Sequence, residues 1–202
     1  MIVTLRSWSK FFLATLLVGG IITMVGSFLL RWDEIAPYIA EQQWKQALGF
    51  AIFHLGVGFT FSVISQMGFF SYLFIHQFGL GLFRSLSLWS AVQIVIIAIV
   101  LFDLVYFRFQ SFSAEGDSLG SYILLSIVVL VIGAAVSYVK TQQTKKKIFI
   151  STLFFMTVFT ILEWIPVLMA NNGTWLLLTL LPLVACNAYQ ILMLPRYNVK
   201  AK

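Results

Sequence analysis

Six long apolar runs, separated by short polar stretches, organise this chain. They extend from Phe11 to Leu30, Ala47 to Ile75, Leu86 to Phe107, Gly120 to Val139, Ile148 to Ala170 and Trp175 to Leu194. Each is close to the roughly 20 residues that a helix needs to cross the hydrocarbon core of a bilayer. A membrane barrel needs shorter segments that alternate apolar and polar residues, and no run here alternates in that way. The pattern predicts an all-α fold, a polytopic transmembrane helical bundle of six spans. The first run follows Arg6 and Lys10 as a secretory signal would, but it continues to Leu30 before meeting Arg31-Trp32-Asp33-Glu34. That exceeds the 7 to 15 residues, roughly, of a signal core, so the run reads as a retained anchor. The longest hydrophilic stretch, Arg31 to Gln46, is too short to enclose a core of its own. With no internal repeat and no long linker, residues 1–202 read as a single membrane domain. Gly79-Leu80-Gly81 falls in the short connection between the second and third runs, where a turn is expected.

Composition leads to the same place. Apolar residues make up 60% of the chain, charged residues 10%, and the mean hydropathy is +0.96, well outside the range of a water-soluble domain. Charge then adds direction, because basic residues near span ends stay on the cytoplasmic side. With the amino terminus inside, Arg6, Lys10, Arg84, Lys140, Lys145, Lys146, Lys147, Arg196, Lys200 and Lys202 are internal, ten of the thirteen Lys and Arg residues. Arg31, Lys45 and Arg108 are external, together with Asp33, Glu34, Glu41, Glu115 and Asp117. The expected topology has both termini in the cytoplasm. All six tryptophans fall near span ends, where indole rings favour the headgroup region. The net charge of +6 is carried by these loops, so the predicted partner is the lipid bilayer and not nucleic acid.

Chemistry is sparse by comparison. The single cysteine, Cys186, excludes an intramolecular disulfide and a cysteine-rich metal site. His54 and His76 lack metal-ligand spacing, and no phosphate loop or nucleophile elbow is present. No catalytic, cofactor or metal residues are predicted. The residues that need a reason are the ionisable ones inside spans, His54, Asp103 and Glu163, since a charge at the bilayer centre costs about 2.5 to 3.5 kcal/mol on insertion scales. Counted along their helices, His54 and Glu163 lie about 10 Å below the external ends and Asp103 about 6 Å below. Similar depth permits a polar cluster of the three, able to respond to external conditions or to line a transport path. The blander reading has Asp103 reaching the interface, Glu163 neutral beside a distortion at Pro166, and His54 satisfied within the bundle. Gln66, Gln93, Asn187 and Gln190 can bond between helices, and glycines such as Gly19, Gly20, Gly56, Gly58 and Gly133 allow close approach. A small multi-pass transporter or channel, or a membrane enzyme acting on lipid-linked substrates, remain alternatives on these residues alone. Transport would show as flux in proteoliposomes, enzymology as turnover of a lipid.

The stretch Gln66-Met-Gly-Phe-Phe-Ser-Tyr-Leu-Phe-Ile-His76-Gln-Phe-Gly-Leu-Gly-Leu-Phe-Arg84-Ser-Leu-Ser-Leu-Trp89, with Phe102-Asp103-Leu104-Val105-Tyr106-Phe107-Arg108 beyond it, resembles the KinB-signalling pathway activation proteins (KbaA) of endospore-forming Bacillus-type bacteria. The length and six-run layout agree. The resemblance implies a bacterial plasma-membrane accessory protein needed to activate the sensor histidine kinase KinB, which feeds the sporulation phosphorelay, and it implies no catalytic site. On that reading Arg84, Lys140, Lys145, Lys146 and Lys147 are the expected cytoplasmic contacts, and His54, Asp103 and Glu163 the expected sensing or interhelical set.

Overall fold

In a medium with no water to bond to, each apolar run must satisfy its backbone internally, and the helix does so within a single segment. The computed structural model describes residues 5–113, 119–144, 148–170 and 173–197, which form helices joined by short turns. The elements are α1 (Leu5–Leu30), α2 (Trp32–Ala40), α3 (Trp44–Phe83), α4 (Leu86–Phe112), α5 (Leu119–Thr144), α6 (Phe149–Phe154), a π turn (Phe155–Phe159), α7 (Thr160–Ala170) and α8 (Gly173–Tyr197). The segment from α6 through α7 forms one continuous apolar helix, so six helices among the described residues are long and apolar enough to cross a membrane. They correspond one to one with the six runs.

The differences from the sequence reading have identifiable causes. Gly79-Leu80-Gly81 is helical, not a turn, because α3 continues to Phe83. A glycine in a helix costs about 1 kcal/mol against alanine. Here a Cβ on Gly79 would lie 2.6 Å from Trp89 Cε2, so the missing side chain is what admits the indole. The chain reverses instead at Arg84, whose φ of 51° is left-handed. Ser85 follows as the N-cap of α4, its hydroxyl accepting from the Leu88 amide at 3.4 Å. The hydrophilic stretch after Leu30 holds a short helix of its own, α2, which buries Ile35. In the fifth span the irregular segment is the π turn, upstream of Pro166.

The end of α2 permits a first test. Gln42 has a φ of 57°, the Gln42 amide donates to the Ile39 carbonyl at 3.2 Å, and the Gln43 amide donates to the Tyr38 carbonyl at 2.8 Å. This is the Schellman arrangement, whose left-handed position favours glycine. Gln42→Gly is therefore expected to raise stability by about 0.5 to 1 kcal/mol, measured as an upward shift of thermal unfolding in detergent. An unchanged or lower transition would show that the Gln42 side chain contributes more than its backbone strain costs.

Two compact units make up the fold, Met1–Met67 with Met169–Lys202, and Gly68–Leu168. The first holds α1, α2, the opening of α3 and α8. In α1 the buried positions are Phe11, Thr15, Gly19, Gly20, Thr23, Gly26 and Ser27, whereas Leu13, Leu17, Ile21, Val25 and Leu29 are exposed. Apart from Phe11, small and hydroxyl residues fill the inward face and large apolar ones the outward face, the reverse of a helix packed in water. Inward hydroxyls bond back to the helix itself: Thr15 donates to the Phe11 carbonyl at 2.9 Å and Thr23 to the Gly19 carbonyl at 2.8 Å. Because Gly19, Gly20 and Gly58 have no side chains, α1 and α3 meet backbone to backbone. A Cβ on Gly58 would be 2.5 Å from the Gly19 carbonyl oxygen and 2.7 Å from Gly20 Cα.

The second unit holds the remainder of α3, then α4, α5 and the α6–α7 segment. Its core is aromatic. Tyr72 lies 4.8 Å from Phe155 and 5.7 Å from Phe159 between ring centroids, and Phe69 lies 5.4 Å from Phe155. The π turn thus presents its rings to α3. On its other side Gly133 of α5 admits Thr157 and Leu153, which a Cβ there would meet at 3.1 and 3.3 Å.

Candidate functional site

Within the first unit, the end of α1 builds a polar site. Arg31 directly follows α1, and the i,i+3 spacing places Glu34 of α2 beside it, with Arg31 Nη2 2.6 Å and Nε 2.8 Å from Glu34 Oε1. The guanidinium plane sits over the Trp175 ring, 5.1 Å from its centroid. Its Nη1 donates to His54 Nε2 at 3.2 Å. Guanidinium groups only donate, so Nε2 carries the lone pair and Nδ1 carries the proton. Nδ1 accordingly donates to the Phe50 carbonyl at 2.8 Å. The imidazole is stacked near Trp175 at 6.2 Å and 19°, and lies 4.2 Å from Phe50 and 5.2 Å from Phe53. Three elements, α2, α3 and α8, together orient one arginine.

Deeper in the same unit runs a buried hydrogen-bond chain. Ser65 donates to Asn187 Oδ1 at 2.8 Å, and Gln190 Nε2 donates to Ser65 Oγ at 2.7 Å and to the Cys186 carbonyl at 3.1 Å. Ser62 donates to the Gly58 carbonyl at 2.8 Å and lies 3.4 Å from Cys186 Sγ. Asn187 and Gln190 thus take the interhelical bonding role expected of them, joining α3 to α8.

Asp103 and Glu163 belong to the second unit. Asp103 is half-buried on α4. Glu163 is buried on α7, its carboxylate resting against Gly68 so closely that a Cβ there would overlap Oε1 and lie 2.8 Å from Cδ. In that unit Trp89 Nε1 donates to His76 Nδ1 at 3.1 Å, while its ring stacks on Phe83 at 5.6 Å. Ser151 donates to Gln93 Oε1 at 3.1 Å, tying α6 to α4. Of the basic candidates, Arg84 is exposed at the reversal between α3 and α4, and Lys140 of α5 is buried, 6% exposed. Lys145, Lys146 and Lys147 lie outside the described residues.

Sequence reasoning counted Arg31 only as an external charge and Trp175 only as an interfacial ring. Neither carries a local signal of the contact. His54 follows Arg31 by 23 positions and Trp175 comes from the last span, so only the packing of α1, α3 and α8 unites them.

The KbaA family model, described as KinB-signalling pathway activation in sporulation, matches residues 19–197. The chain belongs to the KbaA family. A relative from Bacillus subtilis (strain 168), the "KinB-signaling pathway activation protein", is 44% identical over 195 residues, spanning 96% of this chain and 98% of the relative. No solved structure matches. The KbaA match takes in α8 and all of α1 from Gly19 onward, so Arg31, His54 and Trp175 fall within it, as do Asp103 and Glu163.

Proposed function

We propose that this KbaA-family chain is an integral membrane protein that activates the KinB pathway without catalysis. It is threaded as one membrane domain through six helical spans with both termini in the cytoplasm, and its partner is the sensor kinase. The observation that carries this reading is the near end-to-end likeness to a protein named for KinB-signalling pathway activation. The outward apolar and inward small-residue faces of α1 support insertion, since an exposed row of Leu, Ile and Val is stable against lipid and costly against water. An activator of this kind works by binding the active state of its partner more tightly than the inactive state. Exposed Arg84 and the lysines at 145–147 form its cytoplasmic contact, and buried Lys140 packs within the span. His54 in the first unit, and separately Asp103 and Glu163 in the second, are the ionisable residues of the spans through which conditions bear on that contact.

The test is KinB phosphorylation in membranes from cells with and without the protein, at matched kinase amounts. Loss of phosphorylation is expected without it, and a similar loss on replacing Arg84 and the three lysines at 145–147 by glutamine. Unchanged phosphorylation, or a loss explained by missing kinase, would overturn the reading.

A further inference from the structure

We infer that Arg31, His54 and Trp175 form a proton-sensitive latch that ties the α1–α2 junction to α3 and α8. The argument rests on hydrogen-bond direction in the first unit and does not depend on the KinB reading. His54 accepts from Arg31 through Nε2 and donates through Nδ1 to the Phe50 carbonyl. Only a neutral imidazole with its proton on Nδ1 makes both bonds. A proton taken up on Nε2 sets N–H against N–H and a second positive charge beside the guanidinium. At 3.2 Å the two groups then repel, and Arg31 has to leave.

The groups facing His54 set the sign. Arg31 comes from the α1–α2 junction and Glu34 from α2. α3 supplies Phe50 and Phe53, and α8 supplies the Trp175 ring. Glu34 neutralises Arg31 from its exposed side, so one carboxylate balances one guanidinium while the imidazole stays uncharged. Protonating His54 upsets that balance. The latch is closed while His54 is neutral and opens as the pH falls through the titration of His54 itself. Opening lifts the guanidinium from Trp175 and frees the start of α2. The event is a local change of charge and packing that can be read at a distance through α2.

The measurement is nitrogen NMR of the full-length protein in lipid nanodiscs, labelled at histidine and arginine, from about pH 8 to about pH 5, the range in which an imidazole changes charge. His54→Gln identifies the His54 signal by its loss and supplies an acceptor that does not titrate. The expected result is the Nδ1–H tautomer at the upper end, followed by imidazolium formation. The Arg31 Nη1–H that donates to His54 Nε2 should lose at least about tenfold of its exchange protection in the same step, after correction for intrinsic exchange. In His54→Gln that protection should no longer depend on pH. Glu34→Gln, at an exposed position, should retain the step and keeps the test valid if the first variant does not fold. The inference is overturned by an Nε2–H tautomer, by Arg31 protection that ignores protonation of His54, by a His54 that stays neutral throughout, or by a step that disappears in Glu34→Gln. KinB phosphorylation is not part of this readout, so the latch and the pathway reading fail separately.

Discussion

Gly58→Ala is expected to destabilise the protein by about 3 kcal/mol, at the upper end for overpacking, and Gly58→Leu to prevent accumulation of the folded form. The added Cβ would meet the Gly19 carbonyl oxygen at 2.5 Å, Thr23 Oγ1 at 2.6 Å and Gly20 Cα at 2.7 Å. Two of these three are backbone atoms and cannot rotate aside, so relief requires separating α1 from α3. That separation would also stretch the Ser62 bond to the Leu16 carbonyl, now 3.3 Å. Gly56, two residues earlier on the same helix, supplies the control. Nothing lies within 4 Å of a Cβ built there. Gly56→Ala should therefore be neutral or stabilising by up to about 1 kcal/mol, the helix-propensity gain. Detergent-induced unfolding of the purified protein, followed by helical circular dichroism, measures both. Equal effects at the two positions would show that the close crossing of α1 and α3 does not govern stability.

Gly68→Ala is expected to cost about 2 to 3 kcal/mol, and most of that cost should vanish in a Glu163→Ala background. The Gly68 Cβ would collide with Glu163 Oε1, with Cδ at 2.8 Å and Cγ at 3.2 Å behind it. Glu163 is a flexible side chain, but it is buried, and moving it means finding another polar setting inside the second unit. A double-mutant cycle on unfolding free energy isolates the contact, whatever else Glu163 touches. Coupling above about 1 kcal/mol is expected. Additive effects would mean that Glu163 turns away without cost, and that Gly68 does not hold it in place.

Both predictions depend on glycines that the sequence marks only as permissive. Gly56 and Gly58 look alike in the chain, each flanked on both sides by apolar residues within the same run. Which of them faces α1 depends on the rotation of α3, and the difference is visible only once Gly19 and Gly20 are seen against Gly58. Gly79 shows the same limit from the other side. Local propensity places a turn there, whereas Trp89 needs the vacant space and α3 runs on to Phe83. Arg84, a residue with no turn preference, takes the left-handed position instead.

The number and placing of the apolar helices were determined by the sequence alone, because length and hydropathy act on each run separately. Every predicted run lies on a helix of adequate length, although the ends differ by several residues where packing extends them, most of all in α3. KbaA membership was likewise legible, from the Gln66 to Arg108 stretch, and the family model confirms it over residues 19–197. The partners of the ionisable residues were left to the tertiary structure. Depth along a helix is a one-dimensional quantity that the sequence carries, so His54, Asp103 and Glu163 could be placed at similar depth. Which face each one presents, and which helix lies opposite, is decided by contacts between segments far apart in the chain. For that reason His54 is bonded to Arg31 and stacked beside Trp175, Glu163 rests on Gly68, and Lys140 is buried.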